Sequence, residues 1–384
     1  MDATYKTTKY ELPMFFVTVK TNVGYTPVAD FVIQSETSDH IAEALRVIAS
    51  WNPEWSPPFF MTDYSDAEIT AIESVFPHCR VYLCDFHREQ CWERWMKDKK
   101  HGLSLTDGEI LLGMLRKCAW AAPGSNGLSL DHYYQQEVGN LQRTDVWKNN
   151  GQVRDWLSAK WLPNSQRWAR AFRDNDYHAA INTNNGTEAL NKVLKYNYLP
   201  KRKNITLSSV CTTLIESFLP DAHQKYVCLN YMQSSQYRSY KSSVPEYLRD
   251  RPKTTILHCL ERKSKALKYV TDDIKVVDSK QGIFTIEGSK NKKHTINFGI
   301  ENEDGMPSCT CPDWQQWHIP CKHFFAEFNL QSGWAWSNLH PKYLNSPYLC
   351  TDSHVLHDYF HNTASNESLN TDSLNSSTDT VALI

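Results

Sequence analysis

The sequence predicts an α/β fold with a mixed sheet in its first half, then a helical and small-β region, then a metal-clamped knuckle. Three observations carry this prediction. Strand-like and helix-like runs alternate through the first hundred residues, the pattern of strands covered by helices. Capping residues stand just before the first two helical runs. Cys309, Cys311, Cys321 and His323 form two tight pairs separated by nine residues, in "SCTCPDWQQWHIPCKHFFAEF".

Asp2 lies in "DATYKT", at what reads as the end of a first strand. "MFFVTVK" is apolar and β-branched, and reads as a strand. "TNVGYT" supplies an Asn/Gly turn and "PVADFVI" a partner strand, which makes a hairpin. Thr37 or Ser38 can cap a helix whose Ile41, Leu45 and Ile48 share one face. "PPFFMTD" reads as a short buried strand ending in Asp63. Ser65 and Glu68 have the spacing of a capping box for a helix that buries Ile69, Ile72 and Phe76. "RVYLC" is another buried strand, and "REQCWERW" opens a further helix. Residues 98–170 are Trp-rich and helical in pattern, and 201–250 are helical with aromatic interruptions. "IKVVD", "GIFTIEG" and "HTINFGI" suggest a small sheet leading into the knuckle. From about residue 360 the chain is rich in Ser, Thr and Asn, and it is expected to be disordered.

Composition narrows the classes. A chain of 384 residues, 41% hydrophobic and 22% charged, has room for two or three ordinary soluble domains. It has no apolar run of about 18 residues, so no membrane-spanning helix and no membrane partner are expected. The start, "MDATYKTTKY", has no apolar segment of a secretory signal. Eleven cysteines without such a signal point to a reducing compartment and to thiols or metal ligands rather than disulfides. A net charge of −2 argues against a globally basic nucleic-acid binder. Residues 251–300 nevertheless hold eleven Lys or Arg against five Asp or Glu, a local +6. That stretch reads either as a face for a phosphate backbone or as ordinary solvated surface.

The Cys/His pattern suits zinc, which takes four soft or borderline ligands in a tetrahedron. A Cys-x-Cys pair fits a knuckle, and Cys-x-His fits the start of a helix with Phe324, Phe325 and Phe328 packed behind it. Pro312 and Pro320 bracket the intervening loop. The bland alternative is three buried thiols and an unrelated histidine. Two carboxylates, Asp2 and Asp63, would emerge together if their strands are neighbours, and close acids repel unless a cation sits between them. Without that, Asp2 is a surface acid near a terminus, and Asp63 is a helix cap, a role Ser65 fills better. Glu188, in "NTNNGTEALNKVLKYNYLP", shares a helix face with Asn191, Lys192 and Lys195, opposite an apolar stripe of Leu190, Val193 and Leu194. The competing reading makes Asn185 the N-cap and Glu188 the third residue of a capping box.

The pattern CxCx9CxH, with Asp313 and Trp314 in "CPDW", resembles the SWIM-type zinc finger. "DATYKT", "MTDYSDAEITAIESVFP", "RVYLCDFH" and "TNNGTEALN", in that order, resemble the transposase domain of Mutator-like elements. The resemblance implies an RNase H-like fold over residues 1–200, with a helical insertion at about 98–170. It also implies an Asp-Asp-Glu triad at Asp2, Asp63 and Glu188, holding Mg²⁺ or Mn²⁺ for DNA strand cleavage and transfer. The family's Cys-x-x-His is matched by Cys84 and His87, which read either as a zinc half-site or as a buried thiol and a satisfied imidazole. A helical then basic β region over 201–300, a zinc-holding finger at 301–335 and a tail at 360–384 complete the expected layout. The finger implies DNA or protein partners and a nuclear setting. The family carries several apolar residues before its first Asp, where this sequence has only Met1, so a shortened central strand is expected. The expected function is a transposase-derived zinc protein that binds DNA or protein through the finger and a degenerate RNase H-like domain. An active metal-dependent transposase is the alternative.

Overall fold

The computed structural model describes residues 1–121, 130–173, 181–200, 205–287, 292–300, 305–330 and 333–356. The tail expected at 360–384 lies outside these residues. The protein is mixed α/β, as the alternation predicts, and divides into two compact units. The first comprises residues 1–19, 27–217 and 310–318, and the second residues 20–26, 218–309 and 319–384.

The first unit follows the predicted order: β1 (Asp2–Thr4), β2 (Met14–Thr21), β3 (Gly24–Val32), α1 (Ser38–Trp51), β4 (Phe59–Thr62), α2 (Asp66–Val75), β5 (Arg80–Leu83) and α3 (Asp85–Lys97). β2 lies between β1 and β3, and β4 pairs with β5 in parallel. The β1-β2-β3 and β4-β5 sheets are separate, and a hydrogen bond from Met1 N to Met61 O at 2.8 Å links the β1 end to β4. Asp2 opens β1 as it stands rather than closing it, opposite Phe16 of β2. Met14, Phe15, Phe16 and Val17 are all buried, so the first half of β2 is covered on both faces and reads as an uninterrupted apolar run.

Local chemistry explains the helix starts. Thr37 caps α1 through its side chain, and Ile41, Ala42, Leu45 and Ile48 face the core. Ser65 caps α2 by accepting from the Glu68 amide at 3.4 Å. The predicted capping box is only half formed. The Glu68 carboxyl does not return to the cap but turns inward onto the Thr62 hydroxyl, where it is 4% exposed. The insertion consists of α4 (Leu105–Ala119), α5 (Leu130–Gln142), α6 (Asp145–Asn149), α7 (Gly151–Trp156) and α8 (Ser165–Trp168). Its tryptophans meet Trp92 of α3 edge to face, Trp161 at 5.3 Å and Trp168 at 5.4 Å. Each such pair adds about 0.5–1.5 kcal/mol beyond its buried area. α9 (Asn185–Val193) runs into a π-helical turn at Leu194–Tyr198, and α10 (Leu207–Thr213) follows.

The second unit holds α11 (Leu219–Gln233), α12 (Lys253–Ala266) and the antiparallel sheet β6 (Ile274–Asp278), β7 (Ile283–Glu287), β8 (Lys293–Asn297) and β9 (Ser308–Cys309). Gly299, just after β8, has φ +73°, and a side chain there would collide with the Met306 backbone, so the position requires glycine. The segment between the prolines is not a plain loop. Pro312 is the first residue of α13 (Pro312–Trp317), where a missing N–H costs nothing, and Cys311 is its N-cap. α14 (Lys322–Leu330) and α15 (Pro341–Leu344) complete the described elements.

Glu327 of α14 is fully buried, and neither carboxyl oxygen finds a hydrogen-bond partner. Burial pushes its pKa up to about 7. A raised carboxyl favours the protonated native state. Its stabilising effect is therefore complete below about pH 4.5 and is lost as pH rises through 7. Glu327→Met is expected to raise stability by about 3 kcal/mol at pH 8 and to flatten that pH dependence. Urea unfolding at pH 5 and pH 8 checks this, and equal parent and variant midpoints at pH 8 would refute it.

Candidate metal centres

The first centre is the Cys/His knuckle. Cys309 enters on β9, whose register sets it opposite Ile296 of β8. Cys311 caps α13, with its sulfur 3.4 Å from the Trp314 amide. Cys321 and His323 stand at the start of α14. The four ligand atoms lie within 4.8 Å of one another, and all four residues are buried. His323 Nδ1 is 3.6 Å from the sulfurs of both Cys309 and Cys321. A tetrahedron with about 2.3 Å Zn–S and about 2.0–2.1 Å Zn–N bonds places sulfur and nitrogen about 3.6 Å apart, so the cage has the size zinc requires. Phe324 and Phe325, fully buried, fix the helix behind the ligands.

The second centre lies at the ends of β4 and β5. Parallel pairing sets Thr62 opposite Leu83, and the Cys84 amide donates to Thr62 O at 2.9 Å. Asp63 and Cys84 therefore leave neighbouring strands side by side, at carboxyl ends where open α/β sheets place their sites. His87 sits in the first turn of α3. Its Nδ1 is 2.6 Å from Asp63 Oδ1 and its Nε2 is 3.2 Å from Glu188 Oε1, so one imidazole spans two of the three predicted acids. The Asp63 carboxylate against His87, then the Cys84 sulfur, push its pKa up to about 10, against the opposing effect of burial. At neutral pH it is an imidazolium.

Asp2 joins the group electrostatically. Burial is the largest cause that raises its pKa to about 6, and Asp63 and Glu188 both add to it. It accepts a hydrogen bond from Asn191 Nδ2 at 2.9 Å, while Asn184 Nδ2 donates to Asp63 Oδ1 at 2.9 Å. Asp2, Asp63 and Glu188, remote in sequence, thus share one region with Cys84 and His87.

α9 departs from its sequence reading in two ways. Asn184, not Asn185, occupies the N-cap position, and its side chain serves Asp63 instead of the helix. Glu188 is then the fourth helical residue, too far along for a capping box. The buried face is Asn184, Thr187, Asn191 and Leu194, whereas Val193 of the expected apolar stripe is 38% exposed. Thr187 meets Thr18 of β2 hydroxyl to hydroxyl at 2.6 Å. Asn184 and Asn191 were not singled out as site residues. The signal that finds them is polar residues at i, i+3 and i+7 on a helix that must pack.

Among the described residues, no helix is long and apolar enough to cross a membrane. The model of the MULE transposase domain matches residues 1–90, which include Asp2, Asp63, Cys84 and His87 but not Glu188. The model of the SWIM zinc finger matches residues 296–324, which include all four knuckle ligands. A search of curated proteins finds no match.

Proposed function

We propose that this chain, with its MULE transposase domain and its SWIM zinc finger, acts on DNA through a hard-cation site at Asp2, Asp63 and Glu188. The observation that carries the reading is the convergence of the three acids: two on one imidazolium, the third raised to about 6 by burial and by the other two. Oxygen ligands of this kind suit Mg²⁺ or Mn²⁺. Such ions, when bound, would activate a water or 3′-hydroxyl and stabilise the leaving oxygen at a DNA phosphate. The chain's own residues prepare the site. Asn191 aims Asp2, Asn184 aims Asp63, and the cationic His87 holds Asp63 and Glu188 together despite their like charge. The +6 stretch at 251–300 and the finger supply contacts to a phosphate backbone, and a DNA substrate goes with a nuclear setting.

The test is Mn²⁺ binding and Mg²⁺- or Mn²⁺-dependent DNA strand cleavage by the full chain. Asp63→Ala is expected to lower cleavage about 100-fold or more. Because Asp2 must lose its proton to hold a cation, and does so only at about pH 6, Mn²⁺ affinity is expected to rise steeply between pH 5 and 7. Equal cleavage by parent and variant sinks the reading.

A second reading rests on His87 itself. Its positive charge already sits between Asp63 and Glu188, so the scaffold is balanced without a metal and can serve as a silent platform for DNA or a protein partner. A parent chain that binds DNA but neither Mn²⁺ nor Mg²⁺ supports this second reading over the first.

A further inference from the structure

Cys84 and His87 alone are half a site, and the fold brings them a third ligand. The ligand atoms of Asp63, Cys84 and His87 lie within 4.8 Å of one another. One carboxylate, one thiol and one imidazole form a borderline-soft set that suits zinc, whereas a hard cation would leave the sulfur unused. His87 Nδ1 is buried and, although 2.6 Å from Asp63 Oδ1, lacks the alignment of a hydrogen bond with it. Binding a cation there would replace the proton that the ion pair with Asp63 holds on the imidazole.

Each of the three also has a support on its outer side. The Asn184 amide N–H points at Cys84 Sγ at 3.4 Å, and Asn184 Nδ2 donates to Asp63 Oδ1 at 2.9 Å. Glu188 Oε1 stands 3.2 Å from His87 Nε2, the placement of a carboxylate behind a metal-bound histidine. Such outer contacts orient ligands and fix the imidazole tautomer. Access is open, since the Asp63 side chain is 34% exposed and that of His87 is 24% exposed.

From this geometry we propose that Asp63, Cys84 and His87 bind a zinc-class cation, with Glu188 and Asn184 as supports and a fourth coordination position open. The site stands on its own geometry. Its consequence for the hard-cation site rests on the function proposed above: Asp63 and Glu188 cannot serve both, so the thiophilic ion shuts the triad.

The experiment measures zinc per full chain by elemental mass spectrometry after dialysis, with Co²⁺ absorption as a second readout. The parent is expected to hold two zinc ions, Cys84→Ser one, Cys321→Ser one, and the double variant none. In the Cys321→Ser background, Co²⁺ bound at the second site is expected to show a thiolate charge-transfer band from a single sulfur, absent in the double variant. Cys84 is fully buried, so His87→Ala, at a partly exposed residue, is the second variant and is also expected to hold one zinc. One zinc in the parent, or two in a folded Cys84→Ser or His87→Ala chain, overturns the proposal. Asp2→Asn separates the two readings, with zinc counted in the otherwise parental chain and Mn²⁺ binding compared with and without this change in the Cys84→Ser background, where the zinc that shuts the triad is absent. Two zinc ions with loss of Mn²⁺ binding supports both. Two zinc ions with Mn²⁺ binding intact supports the zinc site while sinking the triad, and a loss of one zinc in this variant overturns the assignment of the ligands.

Discussion

Cys321→Ser is expected to remove one zinc ion and unfold the knuckle. The four ligands are between 0% and 2% exposed, so each thiol is buried among apolar neighbours with no water to solvate it. Its deprotonation is tolerable only against a cation. Serine keeps the size but gives zinc a poor ligand, and it leaves a hydroxyl in an apolar pocket. Structural zinc contributes about 10–16 kcal/mol of apparent free energy in finger peptides at neutral pH, as much as an entire domain's stability of about 5–15 kcal/mol. Nothing local replaces that sum: β9 is two residues long and α13 six. The expected readout is a zinc content lower by one and faster amide exchange across residues 305–330. Cys211, half-buried and outside both clusters, is the control, and its serine variant should keep the parent's zinc. Unchanged zinc content or unchanged protection in Cys321→Ser sinks the assignment.

What could be read from the sequence follows the range over which each signal acts. Thr37 and Ser65 announce their helices because a cap and its amide are three residues apart. The knuckle was legible for the same reason, since its ligands span fifteen residues from Cys309 to His323. β4 and β5 were legible as short buried runs, but nothing in "PPFFMTD" or "RVYLC" says that they pair in parallel with Thr62 against Leu83. That register places Cys84 beside Asp63. The fate of Glu68 was hidden for a related reason: its cap spacing is correct, yet a buried hydroxyl at Thr62 competes for the carboxyl and wins. α9 misled most. Leu190 and Val193 suggest a core stripe, but the tertiary neighbours of this helix are carboxylates, so its asparagines turn inward. A polar inward face contradicts the hydrophobic pattern where a site needs it, and such conflicts concentrate at functional positions.

Asp85→Asn is the second substitution expected to be severe, and no motif or spacing points to it. Asp85 opens α3, two residues before His87, and is 8% exposed. One of its oxygens, Oδ1, accepts from Arg88 Nη1 at 2.6 Å and from Arg173 Nη2 at 3.1 Å. Those arginines are 2% and 5% exposed. Burial pushes the Arg88 pKa down, Asp85 is the main opposing influence, and Arg173 adds to the strain. Asparagine keeps the shape and one acceptor but not the charge, which leaves two desolvated cations facing each other. Stripping one partner from a buried ion cluster costs about 3–5 kcal/mol, and a unit of this size should lose about 10 °C of thermal midpoint. Replacing Asp85, Arg88 and Arg173 together by apolar residues should recover most of the loss, because it removes the charges along with their partners. The effect reaches the site. The Asp85 amide donates to Asn182 O at 2.8 Å, and Arg173 Nη1 donates to Asn182 Oδ1 at 3.2 Å, so this cluster clamps the chain entering α9 against the start of α3. His87 and Glu188 stand on those two helices. Asp85→Asn should therefore weaken Mn²⁺ and Zn²⁺ binding even at temperatures where the chain stays folded. A loss below about 1 kcal/mol in urea unfolding, with metal affinity unchanged, would mean that the arginines are satisfied elsewhere and that the clamp is not what holds the site together.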